Sequence, residues 1–232
     1  MEPTSLPPGQ SAIEAFPRFG LLAFAGRFPR ETDRIRLQIT GDVRRELTIG
    51  SELERIARVD QVSDFHCVTT WTRRSLSWSG VRFSDVYEQL IAPLAEPDPG
   101  VNFVVLRAQD GAQASLPLAD LLAPDVLLAD RLDGAALPVA HGAPLRVVAP
   151  AHYGYKSVKH LCGIELLTDG AGYRPTGLRL MVHPRARVAH EERGQWVPGR
   201  ALRYVYRPMI RPVAARFRSA MREREASANA AR

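Results

Sequence analysis

Residues 101–118 read VNFVVLRAQDGAQASLPL, two strand-like runs joined across Asp110-Gly111. An Asp-Gly pair accepts the positive φ angles that a tight hairpin turn requires. This stretch therefore commits its part of the chain to antiparallel pairing of neighbours. Asp133-Gly134 marks a second tight turn. Upstream, RIRLQITGDV alternates strictly, with Ile35, Leu37 and Ile39 on one face, the pattern of a half-buried strand. PLRVVAP and KSVKHLCGIELL are later strands, the second carrying Val158, Leu161, Ile164 and Leu166. Helical signals are short. Ser51 with Glu54 forms a capping box for a helix around ELERIARV, and SDVYEQLIAPL, from Ser84, reads as a helix ending near Pro93. Strands and helices do not alternate in the βαβ manner of a doubly wound fold. The expected class is α+β, a mixed, mostly antiparallel sheet with short helices.

Three stretches follow from composition. Residues 1–30 (LPPGQ, FPRFG, FAGRFP) show no period and read as an extended N-terminal arm. Residues 31–184 carry the periodic elements and form the main domain. Residues 185–232 form a basic C-terminal extension, punctuated by Pro208 and Pro212, with a helix from about residue 213 and fraying last residues. That extension holds 12 arginines and 4 glutamates, a net of +8 in a chain of net +6, so the rest sums to −2. A nucleic-acid binder should carry its basic face on the folded body, so nucleic acid is not an expected partner. No apolar run reaches about 18 residues, so no transmembrane segment is expected. MEPTSLPPGQ has neither a basic nor an apolar leader region, which points to a cytoplasmic protein. In that setting a Cys67–Cys162 disulfide is not expected.

Two stretches carry candidate chemistry. FHCVTTW, residues 65–71, holds Cys67 beside His66. Neighbours on a strand face opposite ways, so His66 is no dyad partner by adjacency. The thiol is either a small buried hydrophobe or a reactive group served by a remote residue. HGAPLRVVAPAHYGYKSVKH, residues 141–160, contains the chain's two lysines, Lys156 and Lys159, among 31 basic residues. Lysine serves phosphate as a point charge. With His141, Arg146 and the permissive Gly154, the stretch could cradle an anion. It is neither a Walker loop nor a Rossmann fingerprint, and HExxH and CxxC are absent.

Together, DFHCVTTWTRRSLSWSGVRFSDVYEQL and the downstream LLADRLDGAALPVAHGAPLRVVAPAHYGYKSVKHLCGIEL resemble the molybdopterin-dependent oxidoreductase domain of the sulfite oxidase family. The resemblance spans roughly residues 30–170 and is nearest the compact branch of periplasmic methionine-sulfoxide reductase catalytic subunits. It implies the sulfite-oxidase-type fold and one molybdopterin carrying one molybdenum. It implies Cys67 as the metal's thiolate ligand and catalytic residue, and His66, His141, Arg146, Gly154, Tyr155, Lys156 and Ser157 as cofactor-binding positions, with Lys159 assisting. It implies two-electron oxygen-atom transfer on a small sulfite- or sulfoxide-like substrate. Arg73 and Arg74 would either hold an anionic substrate or lie on a solvated loop. An electron-transfer partner is implied. The basic C-terminal segment lies outside the resemblance, and its charge suits an acidic redox partner, an anionic membrane or a plain solvated extension. The alternatives are a cofactor-binding redox-partner protein without turnover, and a metal-free thiol enzyme using Cys67.

Overall fold

In the computed structural model, which describes residues 5–177 and 179–230, eleven strands form two mixed sheets. The outermost residues of the expected arm (1–4) and extension (231–232) lie outside the described residues. The strands are β1 (Ser11–Ile13), β2 (Leu37–Gly41), β3 (Leu47–Ile49), β4 (Arg58–His66), β5 (Trp71–Arg82), β6 (Phe103–Ala108), β7 (Gln113–Pro117), β8 (Leu127–Leu132), β9 (Ala135–Ala136), β10 (Arg146–Val148) and β11 (Leu161–Leu167). One sheet runs β1-β5-β8-β10, with β4 also on β5 and β9 also on β8. The other runs β3-β2-β11-β6-β7. Among the described residues only the β1–β5 and β2–β11 pairings are parallel. The α+β class with mostly antiparallel pairing is borne out.

The hairpin read from Asp110-Gly111 is β6–β7, with Gly111 at φ 87°. The alternation in RIRLQITGDV buries Leu37 and Ile39 completely. They join Leu106, Leu116, Ile164, Phe83 and Ile91 in the main core. The first sheet is buried on both sides. Leu128 of β8 faces the main core, whereas its neighbours Leu127 and Ala129 pack with Trp78, Leu76, Phe16 and Phe65 in a second core. That two-sided burial is why LLA reads as a continuous apolar run without alternation.

Two helical expectations change. The capping box at Ser51 yields a single 3₁₀ turn, Ser51–Arg55, because Glu52 turns back to accept the Gly50 N–H and Arg58 already begins β4. The helix at Ser84 begins at Phe83 and runs past Pro93 to Ala95, widening into a π turn over Tyr87–Ile91. Pro93 sits in the opening turn of the last segment, where its missing N–H is least disruptive.

At the termini, β1 pairs with β5 in register Ser11 to Trp71, which places Ser11–Ile13 beside the start of β5. Beyond residue 184, Ala186 and Val188 pack on Tyr153, and helices span Gly199–Tyr206 and Ile210–Ala230. Phe217 of the last helix seats against Ala25 and Phe19.

Candidate cofactor and metal site

Cys67 lies in the four-residue turn that joins β4 to β5. The Cys67 N–H donates to the Trp71 carbonyl (2.8 Å) and the Thr70 N–H returns to the Cys67 carbonyl (3.1 Å). Thr70 takes φ 81°, which closes the turn. The sulfur is nearly buried and lies 3.1 Å from Thr69 Oγ1. Burial pushes the thiol up to about 11, against the pull of Thr69 and of the Arg193 and Lys159 charges. A thiol held protonated in this way is a poor nucleophile at neutral pH. A bound metal ion reverses that, because coordination deprotonates a thiol outright.

His66 turns to Thr72. Its Nδ1 lies 2.8 Å from Thr72 Oγ1, which donates onward to Gln10 Oε1 (3.1 Å). Gln10 Nε2 in turn donates to the Cys67 carbonyl (3.1 Å). The Cys67 turn is therefore pinned by the N-terminal arm as well as by its own strands. Arg73 and Arg74 are strand residues of β5, not a solvated loop, because the hairpin resumes at Trp71.

A group of cations adjoins the turn. Arg146, 1% exposed, donates to the carbonyls of His141 (2.9 Å), Ser157 (3.1 Å) and Val147 (3.2 Å) and lies over the Trp78 ring. Burial pulls its guanidinium down to about 9. Lys159 Nζ donates to the Phe19 carbonyl (3.1 Å). Burial, then Arg146 and Arg18, lower it to about 7. The His141 ring stacks on Phe16 at 4.3 Å, and burial, then Arg146 and Lys159, drive it to about 3. Among the described residues none of these three groups takes part in an ion pair. The indole N–H groups of Trp71 and Trp78 are buried beside them without an acceptor.

The rest of the YGYK segment is held differently. The Gly154 N–H donates to the His66 carbonyl (2.7 Å), which docks the segment on the end of β4. A side chain at Gly154 would run into the Phe65 ring, so glycine here serves aromatic packing. Tyr155 OH bonds the backbone of His183, and Ser157 Oγ accepts the Ala149 N–H (3.1 Å). Lys156 Nζ donates to the carbonyls of Ser115 and Pro184, both at 2.6 Å, with Asp120 and Glu192 as its nearby acids. Lys159, three residues on, is the lysine whose charge reaches both Cys67 and Arg146.

Arg193 was invisible as a site residue in the sequence. It is fully buried and donates to the carbonyls of Val68, Pro8 and Gly9, lies over the Tyr153 ring, and pairs with Glu191. One extra arginine in an arginine-rich tail carries no signal of its own.

The model for the oxidoreductase molybdopterin-binding domain family matches residues 25–172. The chain belongs to that family. Its cofactor is molybdopterin carrying one molybdenum, and its members are oxidoreductases. The chain is 35% identical over 167 residues to the uncharacterized oxidoreductase YuiH of Bacillus subtilis, covering 71% of this chain and 80% of that one. It is 33% identical over 142 residues to human mitochondrial sulfite oxidase, covering 58% of this chain and 24% of that one. It is 29% identical over 133 residues to the methionine-sulfoxide reductase catalytic subunit MsrP of Xanthomonas axonopodis, covering 52% of this chain and 40% of that one. The sulfane dehydrogenase SoxCD of Paracoccus pantotrophus shares the fold, with a TM-score of 0.51 at 22% identity over 58% of this chain and 38% of that one.

The residues present fit such a group. A buried cation without a counter-ion is costly, and among the described residues neither Arg146 nor Lys159 has an ion-pair partner. Two unpartnered indole donors add to the deficit. The site is rich in donors and positive charge and poor in acceptors, which suits an acceptor-rich anion. Cys67 supplies a sulfur ligand beside it.

Proposed function

We propose that the chain performs two-electron oxygen-atom transfer on a small sulfite- or sulfoxide-like substrate at a molybdopterin centre ligated by Cys67. The observation that carries this reading is the placement of the Cys67 turn beside Lys159 and Arg146, neither of them ion-paired among the described residues, with the His141 ring next to them. When bound, the cofactor supplies the redox change and the exchangeable oxygen. The chain's own residues supply the setting. Arg146 and Lys159 balance the cofactor's negative charge, and His141 donates a hydrogen bond beside them. Gln10, Thr69 and Arg193 hold the turn so that Cys67 Sγ keeps one position. Lys156 holds the YGYK segment in place by donating to the Ser115 and Pro184 carbonyls. An electron-transfer partner completes the cycle. Cytoplasmic placement, which cell fractionation tests, remains part of the proposal.

The test is metal analysis of the chain produced in a host that makes molybdopterin. About one molybdenum per chain is expected, falling sharply in Arg146→Ala. In Cys67→Ser the absorption of the loaded centre should change and turnover should collapse. A chain without molybdenum, beside a loaded control enzyme from the same host, removes the cofactor from the proposal. A Cys67→Ser protein with unchanged absorption and turnover removes the ligand role.

A further inference from the structure

Exposed apolar side chains are concentrated in one stretch. Leu180, Trp196, Val197, Tyr204, Val205 and Met209 are all exposed, Trp196 at 76% and Tyr204 at 71%. Leu180 is held beside the others because its carbonyl accepts the Gln195 N–H (3.0 Å). The helix Gly199–Tyr206 turns Leu202 and Tyr206 inward, which leaves Arg200 and Tyr204 on the outer face with Arg207 and Arg211 continuing the row. Tyr204, Arg207, Pro208, Ile210 and Arg211 line one shallow depression.

The charge on this face is of one sign. Residues 199–222 contain seven arginines and no acid. Arg203 turns inward to Glu191, and Arg200, Arg207, Arg211, Arg218 and Arg222 are exposed. The basic row continues along the helix Ile210–Ala230 as far as Arg222, about 18 Å at 1.5 Å per residue, and ends where the exposed Glu223 and Glu225 begin. An extended row of arginines beside exposed tryptophan, tyrosine, valine and methionine has the chemistry of an interfacial element. The arginines meet anionic headgroups while the aromatic and aliphatic side chains enter the headgroup–acyl boundary.

We propose that the outer face of residues 196–222 is a peripheral docking surface for an anionic lipid bilayer. The charge complementarity and the length of the row favour a planar anionic surface over the small footprint of an acidic protein. The proposal does not rest on the molybdenum reading. The two meet structurally, because Arg203, Glu191 and Arg193 link the inner side of the Gly199–Tyr206 helix to the Val68 carbonyl beside Cys67.

Trp196 reports the docking directly. Of the three tryptophans, Trp71 and Trp78 are buried. Purified full-length chain would be mixed with vesicles of phosphatidylcholine containing phosphatidylglycerol, with pure phosphatidylcholine vesicles, and with polyglutamate. The expected result is co-sedimentation with the anionic vesicles at low salt, loss at high salt, and a blue shift of tryptophan emission that Trp196→Ala abolishes. Each arginine near an anionic surface contributes a factor of roughly five. Arg200→Gln/Arg207→Gln/Arg211→Gln should therefore weaken partitioning at least about tenfold. Circular dichroism of each variant should match the parent, since every altered side chain is exposed. Equal partitioning to neutral vesicles, no partitioning to anionic ones, or an unchanged triple variant overturns the proposal. Tight polyglutamate binding without vesicle binding also overturns it and gives the face to an acidic protein.

Discussion

Arg193 donates a guanidinium hydrogen bond to the carbonyl of Val68, the residue that follows Cys67. The same side chain reaches Pro8 and Gly9, so one buried group ties the N-terminal arm, the Cys67 turn and the C-terminal segment together. It lies outside the family-matched region, residues 25–172, yet touches that region's chemically distinctive turn. Removing one partner of a buried hydrogen-bonded charge costs about 3–5 kcal/mol. Arg193→Ala should therefore lower the urea midpoint by that order without changing the m-value. Hydrogen exchange at Cys67 and Thr70 should speed up. Arg193→Lys should recover little, since one ammonium cannot span three carbonyls and Glu191. An Arg193→Ala midpoint equal to the parent's would show that the Cys67 turn needs no brace.

Gly154 and Phe65 form a second pair with a testable consequence. A Cβ at residue 154 would overlap the Phe65 ring, which itself packs in the second core. Gly154→Ala should destabilise by about 1–3 kcal/mol through overpacking. Phe65→Leu shortens the obstructing ring, so the double variant should lose less than the two single losses added. Thermal melts of the four proteins in the cycle read this coupling. Strict additivity would mean that Gly154 is required for a reason other than Phe65.

The sequence made some of this legible and hid the rest for physical reasons. The β6–β7 hairpin, β2 and β11 could be read because turn chemistry and alternation are local. The pairing of β2 with β11 is parallel and long-range, so no local pattern encodes it. Cys67, His141 and Arg146 stood out by residue type, and the family resemblance gave them their roles. The resemblance put Lys156 at the cofactor with Lys159 assisting; that Lys159 is the lysine whose charge reaches Cys67 and Arg146 was hidden, because each lysine's orientation depends on which backbone carbonyls its ammonium reaches. Gly154 signalled a close approach, but the approaching group is an aromatic ring from β4, far upstream. The arm's hold on the site, through Gln10, Phe16 and Phe19, is tertiary and left no period to read.

Asp120 gives an acid-side prediction. Burial alone would raise its carboxyl, but bonds from Arg185 and His152 outweigh that and hold it below the usual range. A carboxylate depressed in the folded state adds stability that is present above its unfolded value and lost as pH falls through the folded one. Glu192, held at about 2 by Arg187 and His183 against its own burial, acts in the same sense. Stability should therefore fall as pH drops below about 4. Asp120→Asn should be destabilised at neutral pH and show a shallower acid loss. An Asp120→Asn protein with the parent's full acid slope would assign that slope to other carboxylates.

The group of Arg146, Lys159 and His141 makes a prediction of the same sign by a different route, because burial disfavours the charged form of each. His141 falls from 6.5 to about 3 on folding, and Lys159 from 10.5 to about 7. Between each pair of values the unfolded chain binds the proton that the folded chain rejects, so stability rises with pH across both windows. Cofactor-free protein should thus lose stability from pH 6.5 toward 3, and again from 10.5 toward 7. A bound anion relieves both penalties. Phosphate or sulfate should raise the Tm of cofactor-free protein beyond chloride at equal ionic strength, by the linkage of binding to folding. The gain should be larger at pH 6 than at pH 9, where Lys159 has lost its charge. Arg146→Gln should remove most of it. Equal effects of phosphate, sulfate and chloride at every pH would show that these cations are arranged for the fold and not for an anion.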